Sequence, residues 1–327
     1  MRRLMWLGGA TQQVQECPIP EPGPGEVRVK VHACGVCMTE VHYADGLFQP
    51  PEPPPWVWGH EWGGTVDALG PGVTGIEVGA PVSGSGRGGF AEYTVLPATN
   101  VVPLPPGVEL DACIFVEPLA CCWASVQAAA PKPGMRALVT GAGPMGQMTA
   151  QLTRLAGAEV LVSDPDDRCR ALAQELGAAM TVDPLRESLA DAVRAFTGTS
   201  GEGGAPLPPG AGDPGGVDIA LEASGAPAAL ADCIDAVRPG GTIIMVGVSA
   251  ESATLPFPIW RFHRRQLTLK GVYGSGGIAA FHEAVALLPQ LNLTRMISHR
   301  FGLGDIDEAY ALARSGQRGK LLVEPWR

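Results

Sequence analysis

The stretch RALVTGAGPMGQMTAQLTRLAGA, residues 136–158, decides the fold. Ala137–Thr140 is a short apolar run of the kind that forms a buried strand. Gly141, Gly143 and Gly146 make a G-x-G-x-x-G turn, with Pro144 and Met145 inside it. Met145 to Ala156 then reads as a helix. Glu159–Ser163 is a second buried strand, and Asp164 follows it, 18 residues past Gly146. A glycine triplet alone is a weak signal in a chain with 44 glycines. Strand, turn, helix and second strand with an acidic end together are a strong one. Glycines at these spacings let a pyrophosphate approach the free N–H groups at a helix start. Asp164 can accept hydrogen bonds from adenosine ribose hydroxyls and would repel a 2′-phosphate, so the reading favours NAD over NADP. Arg168 and Arg170 are nearby cations able to offset such a phosphate.

The pattern continues downstream. A helix is expected from Asp166 to Leu176, then strands at Val217–Leu221, Thr242–Val246 and Leu267–Gly271, each after helical or loop material. Strands alternating with helices imply a doubly wound parallel sheet. The segment TGTSGEGGAPLPPGAGDPGG, residues 197–216, has no periodicity and reads as a mobile surface loop. Upstream the chain reads as β. Val27, Val29 and Val31 alternate with Arg28, Lys30 and His32, the signature of a half-buried strand. Short strands, glycine turns and proline clusters run on to about Leu119. A helix from Ile278 to Leu288 and a last strand, Gly319 to Val323, lie outside the α/β series and are expected to return to the β-rich part. The expected division is residues 1–122 with 274–327, and 123–273.

Bulk properties exclude several functions. The 327 residues are 46% hydrophobic and 17% charged, which permits sizeable cores. The formal net charge is −10, and no Lys/Arg-rich run occurs. Nucleic-acid binding and attachment to an anionic membrane are therefore not expected. No stretch reads as the ~20 apolar residues that span a bilayer. Met1-Arg2-Arg3 and the short apolar run after it read as a first β-strand rather than an export signal. Eight cysteines are too sparse for a disulfide scaffold. A cytoplasmic compartment is expected, with thiols in cores or on metals.

A second set of residues carries the chemistry. Cys37, Thr39 and His42 lie in ACGVCMTEVH (33–42), His60 and Glu61 in GHE (59–61), and Glu117 in VEPL (116–119). Taken singly, each has a bland alternative. Cys34 and Cys37 make a CxxC without a second pair, His60 suits a core, and Glu117 suits a helix start. Together, thiolate, imidazole and carboxylate suit Zn²⁺, and three protein donors with one open position are the pattern of a catalytic site.

Cys37-x-Thr39-x-x-His42, Gly59-His60-Glu61, Glu117-Pro118-Leu119 and the Gly141–Gly146 turn resemble the signatures of the zinc-containing medium-chain alcohol/polyol dehydrogenases. The resemblance extends in order over nearly the whole chain, through GGTIIMVGV (240–248) and SGQRGK (315–320). It implies a GroES-like, β-rich catalytic domain beside a Rossmann domain, with the active site in the cleft. It also implies zinc ligands at Cys37 and His60, with carboxylate ligands at Glu117 and Glu61, Glu117 favoured in the resting site. A glutamate at 117 resembles the branch that includes sorbitol, butanediol, threonine and glucose dehydrogenases. Thr39 and His42 match a proton relay. Val246, Val272 and Gly274 fall where backbone meets the nicotinamide amide. Val248 and Arg168 join the cofactor set, and Lys320 falls where a cation meets the pyrophosphate.

Three departures stand out. The four-cysteine lobe that holds a structural zinc in many members is missing after Ala80–Ser83, so one zinc per chain is expected. Met38 replaces a residue that is often basic, and the Gly/Pro segment is longer than usual. The implied reaction interconverts a secondary alcohol or polyol and its ketone by hydride transfer, in a homodimer or homotetramer. Trp56, Trp58, Trp62 and Trp123 read equally as pocket walls or core. Two rival readings share the frame: a zinc-free NADPH quinone or enoyl reductase, and a non-catalytic nucleotide-binding protein.

Overall fold

A computed structural model describes residues 1–198, 215–248, 259–274, 276–316 and 319–327. The Gly/Pro segment expected to be a mobile loop falls almost entirely outside the described residues. The chain divides into two compact units, Met1–Ala120 with Ser275–Arg327, and Cys121–Gly274.

The first unit opens with β1 (Arg2–Gly8), β2 (Thr11–Glu16), β3 (Glu26–Gly35) and α1 (Met38–Ala44). The strands β4 (Trp56–Val57), β5 (Glu61–Leu69), β6 (Pro81–Gly84), β7 (Tyr93–Pro97) and β8 (Val101–Pro103) follow. β3 is the spine, antiparallel to β5 on one side and to β7 on the other. Its alternation works as read: Val27, Val29, Val31 and Ala33 are fully buried. α2 (Val116–Ala129) leads into the second unit.

The second unit holds β9 (Arg136–Thr140), α3 (Pro144–Leu155), β10 (Glu159–Ser163), α4 (Asp167–Glu175) and β11 (Met180–Val182). Then come α5 (Leu189–Thr197), β12 (Val217–Glu222), α6 (Pro227–Ala236), β13 (Val237–Met245), α7 (Ile259–Arg264) and β14 (Thr268–Gly271). All six strands are parallel, in the order β11-β10-β9-β12-β13-β14. The order reverses between β9 and β12, the switch point where open α/β sheets bind ligands beyond the carboxyl ends of their strands. The sequence reading missed β11, whose three residues are too few to show a period.

The tail contributes α8 (Ile278–Leu287), β15 (Ile297–Phe301), α9 (Ile306–Arg314) and β16 (Lys320–Val323). β16 adds to β3 antiparallel, through Leu322 opposite Gly35 and Val323 opposite Cys34. The tail therefore completes the sheet of the first unit.

One described helical run, Leu110–Ala129, is long and apolar enough to cross a membrane by length and composition, which the sequence reading did not expect. Of its most apolar window, 67% is buried, as in a core helix. It also carries Asp111 and Glu117.

Candidate active site

The end of β3, the start of α1 and the start of β5 bring together Cys37, His60 and Glu61. One donor atom from each lies within 4.8 Å of the others. Cys37 is the N-cap of α1, in extended conformation at φ −106° and ψ 143°. Its Sγ accepts from the Thr39 backbone N–H at 3.5 Å and lies 3.4 Å from Thr39 Oγ1. Glu40 closes the capping box, its Oε2 accepting from the Cys37 N–H at 3.1 Å. The other Glu40 oxygen faces His60 Nδ1 at 2.6 Å. One buried carboxylate thus fixes both the turn that presents Cys37 and the ring of His60. With Nδ1 engaged, Nε2 is the nitrogen available as a ligand, the arrangement typical of metal-binding histidines. Burial disfavours the imidazolium, but the negative charge of Glu40 and then of Cys37 outweighs it. His60 is held well above its usual pKa.

Glu61 is 3% exposed and Lys320 is 5% exposed. The Lys320 ammonium binds Glu61 Oε2 and the Val36 carbonyl. Burial lowers the affinity of Lys320 for its proton, and the facing Glu61 carboxylate reverses that. Gly35 leaves room for the pair, since a Cβ there would lie 2.4 Å from Glu61 Oε2 and 2.6 Å from Lys320 Cε. The expected pyrophosphate cation therefore has a carboxylate partner inside the first unit. Sequence reading could not see this pair across 259 residues. Glu117 stands in the first turn of α2, outside the gathered group.

Cys34 and Cys37 part company. Cys34 is fully buried and its thiol is pushed well above the ordinary range, by desolvation and then by Glu40 and Glu61. It is a packed, protonated thiol. All eight cysteines are free. Trp58 and Trp62 are core residues at 1% and 0% exposure, which decides against their reading as pocket walls. Trp58 stacks on Tyr43 and packs against the tilted rings of Trp6 and Trp56, and Trp62 donates to the Gly86 carbonyl. His42, in the last turn of α1, meets Phe48 edge-on at 4.8 Å. Burial lowers its pKa, and Asp45 offsets part of the effect.

In the second unit, the turn from Gly141 to Gly146 joins β9 to α3. A Cβ on Gly146 would lie 1.8 Å from the Gly141 carbonyl oxygen, so only glycine allows this closure. Asp164 is fully buried. Its Oδ2 accepts from the Ala142 N–H at 2.6 Å and its Oδ1 from the Asp166 N–H at 2.8 Å. Its observed contacts brace the glycine turn. Glu222, which the sequence reading did not single out, does the same beyond β12, accepting from Ser224 and Gly225. Val246 and Val248 follow β13, and Val272 and Gly274 follow β14. All these residues lie at the carboxyl ends of parallel strands, where the topology places a ligand. Arg170 is committed to Asp167 and Asp183, whereas the Arg168 side chain is exposed.

A β-rich unit with a thiol, imidazole and carboxylate cluster in the same chain as a Rossmann-type unit is the make-up of a zinc- and nicotinamide-linked dehydrogenase. Comparison with known proteins agrees. Residues 23–106 match the alcohol dehydrogenase GroES-like domain and residues 144–290 match the zinc-binding dehydrogenase family. L-threonine 3-dehydrogenase of Pyrococcus horikoshii is 32% identical, with 96% of this chain and 95% of the relative covered. The enzyme of that name from Ruegeria pomeroyi is 31% identical, over 94% and 95%. A Sinorhizobium meliloti protein assigned as a zinc-binding dehydrogenase, solved with NADP, superposes at TM-score 0.85, with 28% identity over 99% of both chains. Bacillus subtilis 2R,3R-butanediol dehydrogenase shares the fold at TM-score 0.83, with 23% identity over 99% of both chains. The chain belongs to the zinc-containing medium-chain alcohol, polyol and threonine dehydrogenase family, and it is an oxidoreductase acting on alcohol-type substrates.

Proposed function

We propose that the protein oxidises a small secondary alcohol, of the polyol, vicinal diol or β-hydroxy amino acid class, to its ketone with NAD as hydride acceptor and one zinc per chain. The observation that carries this reading is the convergence of Cys37, His60 and Glu61 within 4.8 Å, braced by Glu40. This donor set suits zinc, since thiolate and imidazole are preferred ligands and a carboxylate is tolerated. A bound zinc supplies Lewis acidity, lowering the pKa of a substrate hydroxyl and polarising a carbonyl.

The side chains do the rest. Cys37 and His60 hold the metal, with Glu61 and Glu117 as carboxylate donors. Thr39 Oγ1 accepts the substrate hydroxyl proton as it releases its own towards His42, which passes it to solvent. Its lowered pKa keeps His42 neutral, and so able to accept, across the neutral range. The turn from Gly141 to Gly146 holds the pyrophosphate, and Val246, Val248, Val272 and Gly274 hold the nicotinamide end. Asp164 places a fixed negative charge near the adenosine ribose, disfavouring a 2′-phosphate. Arg170 is already neutralised by Asp167 and Asp183, so of these two cations Arg168 is the one able to favour NADP. Among the described residues β14 has no second neighbour, and Leu269 on it and Tyr273 just beyond it are 37% and 97% exposed; this edge suits pairing with a second copy, in a homodimer or homotetramer. The eight free thiols suit a reducing, cytoplasmic compartment.

The test is turnover with NAD and NADP against L-threonine, vicinal diols, polyols and simple secondary alcohols. NAD-linked oxidation of one of these classes supports the reading. NADPH-linked reduction of quinones or enones, with no alcohol oxidised, contradicts it.

A further inference from the structure

Tyr310, on α9, is 1% exposed and shares a core cluster with Cys34, Val41 and Ala44. Its hydroxyl is buried and has no hydrogen-bond partner among the described residues. A buried tyrosine normally finds a partner, because a stranded donor is costly. Phenylalanine would fill the same space without that cost. The hydroxyl therefore calls for an acceptor.

The packing indicates which one. α9 lies on α1 and is fastened there by Arg314, whose guanidinium makes 2.7–3.2 Å contacts to both Asp45 oxygens at the C-cap of α1. The same guanidinium lies 6.0 Å from the Tyr310 ring centre. Burial, then the charges of Glu40, Cys34 and Cys37, hold the phenol well above its usual pKa, so it remains a donor. Cys34 is a protonated thiol and a weak acceptor. Cys37 faces the metal position. Glu40 is a carboxylate, 1% exposed, and each of its oxygens has one contact and a lone pair to spare.

We propose that Tyr310 is a positioning residue whose hydroxyl donates through one buried water to Glu40, and so steadies the carboxylate that orients Cys37 and His60. Only the consequence for zinc rests on the dehydrogenase reading; the link to Glu40 does not.

Tyr310→Phe tests this, because it keeps the packing and removes only the hydroxyl. In the metal-free protein, the variant should unfold about 2 °C lower than the parent. An equal or higher melting temperature would show a stranded donor and overturn the proposal. In the zinc-loaded protein, release of zinc to a chelator should be roughly tenfold faster, the low end of the effect seen for partners of metal ligands. In a Glu40→Gln background the Phe substitution should add nothing. Unchanged release, or a full additional effect in that background, would overturn the link. A parent protein that takes up no zinc would sink the dehydrogenase reading, while the metal-free unfolding comparison would still decide the role of Tyr310.

Discussion

The two units hold their functional groups by opposite means. In the first, charged side chains converge from distant parts of the chain and are fixed by one another: Glu40 on Cys37 and His60, and Lys320 on Glu61. In the second, the site is mostly backbone, shaped by absent side chains at Gly141 and Gly146 and braced by Asp164 and Glu222. A site built from converging charges is vulnerable to removal of a charge. A site built from a glycine turn is vulnerable to addition of a methyl group.

Substitutions can break each half of that comparison separately. The largest effect should come from Cys37→Ala, which removes the softest zinc donor. Turnover should fall by about 10⁴-fold, since metal polarisation contributes several kcal/mol to such a reaction. Nucleotide binding by the second unit, read by calorimetry, should survive. Lys320→Met leaves Glu61 as a buried, unpaired carboxylate and should destabilise the protein by about 3–5 kcal/mol in denaturant unfolding. Gly146→Ala should do the reverse of Cys37→Ala. A Cβ 1.8 Å from the Gly141 oxygen forces the turn apart, at about 1–3 kcal/mol of stability, weakening NAD binding while zinc content stays normal. Glu40→Gln keeps the shape but weakens the hold on His60, so zinc affinity should fall about 10–100-fold in a chelator competition.

The smallest effect concerns pH. Burial lowers the His42 pKa, so the acid limb of alcohol oxidation should lie below the pH at which an ordinary histidine titrates. Asp45 raises that pKa against burial. Asp45→Asn should therefore move the acid limb of the pH–rate profile still lower, and a limb that moved upward would remove His42 from the relay.

The sequence was most readable where the site is local. The turn from Gly141 to Gly146, the strand before it and Asp164 after it lie within 29 residues, 136–164, and each has a period or a glycine to mark it. Cys37 and His60 were readable as residue types suited to zinc. Glu40 was not singled out, although Cys37-x-x-Glu40 has capping-box spacing that could have revealed it. The Glu61–Lys320 pair and the place of Tyr310 depend on β16 and α9 returning to β3 and α1. No local pattern encodes that return. Trp58 and Trp62 were ambiguous because large aromatics suit a core and a pocket alike, and only burial separates the two.

The most direct test of the account is the zinc content of the purified protein, measured per chain for the parent and for Cys37→Ala and His60→Ala. The account predicts one equivalent in the parent and a large loss in both variants, with dehydrogenase activity falling in step. A parent without zinc that still oxidises alcohols, or variants that keep both zinc and turnover, would contradict it.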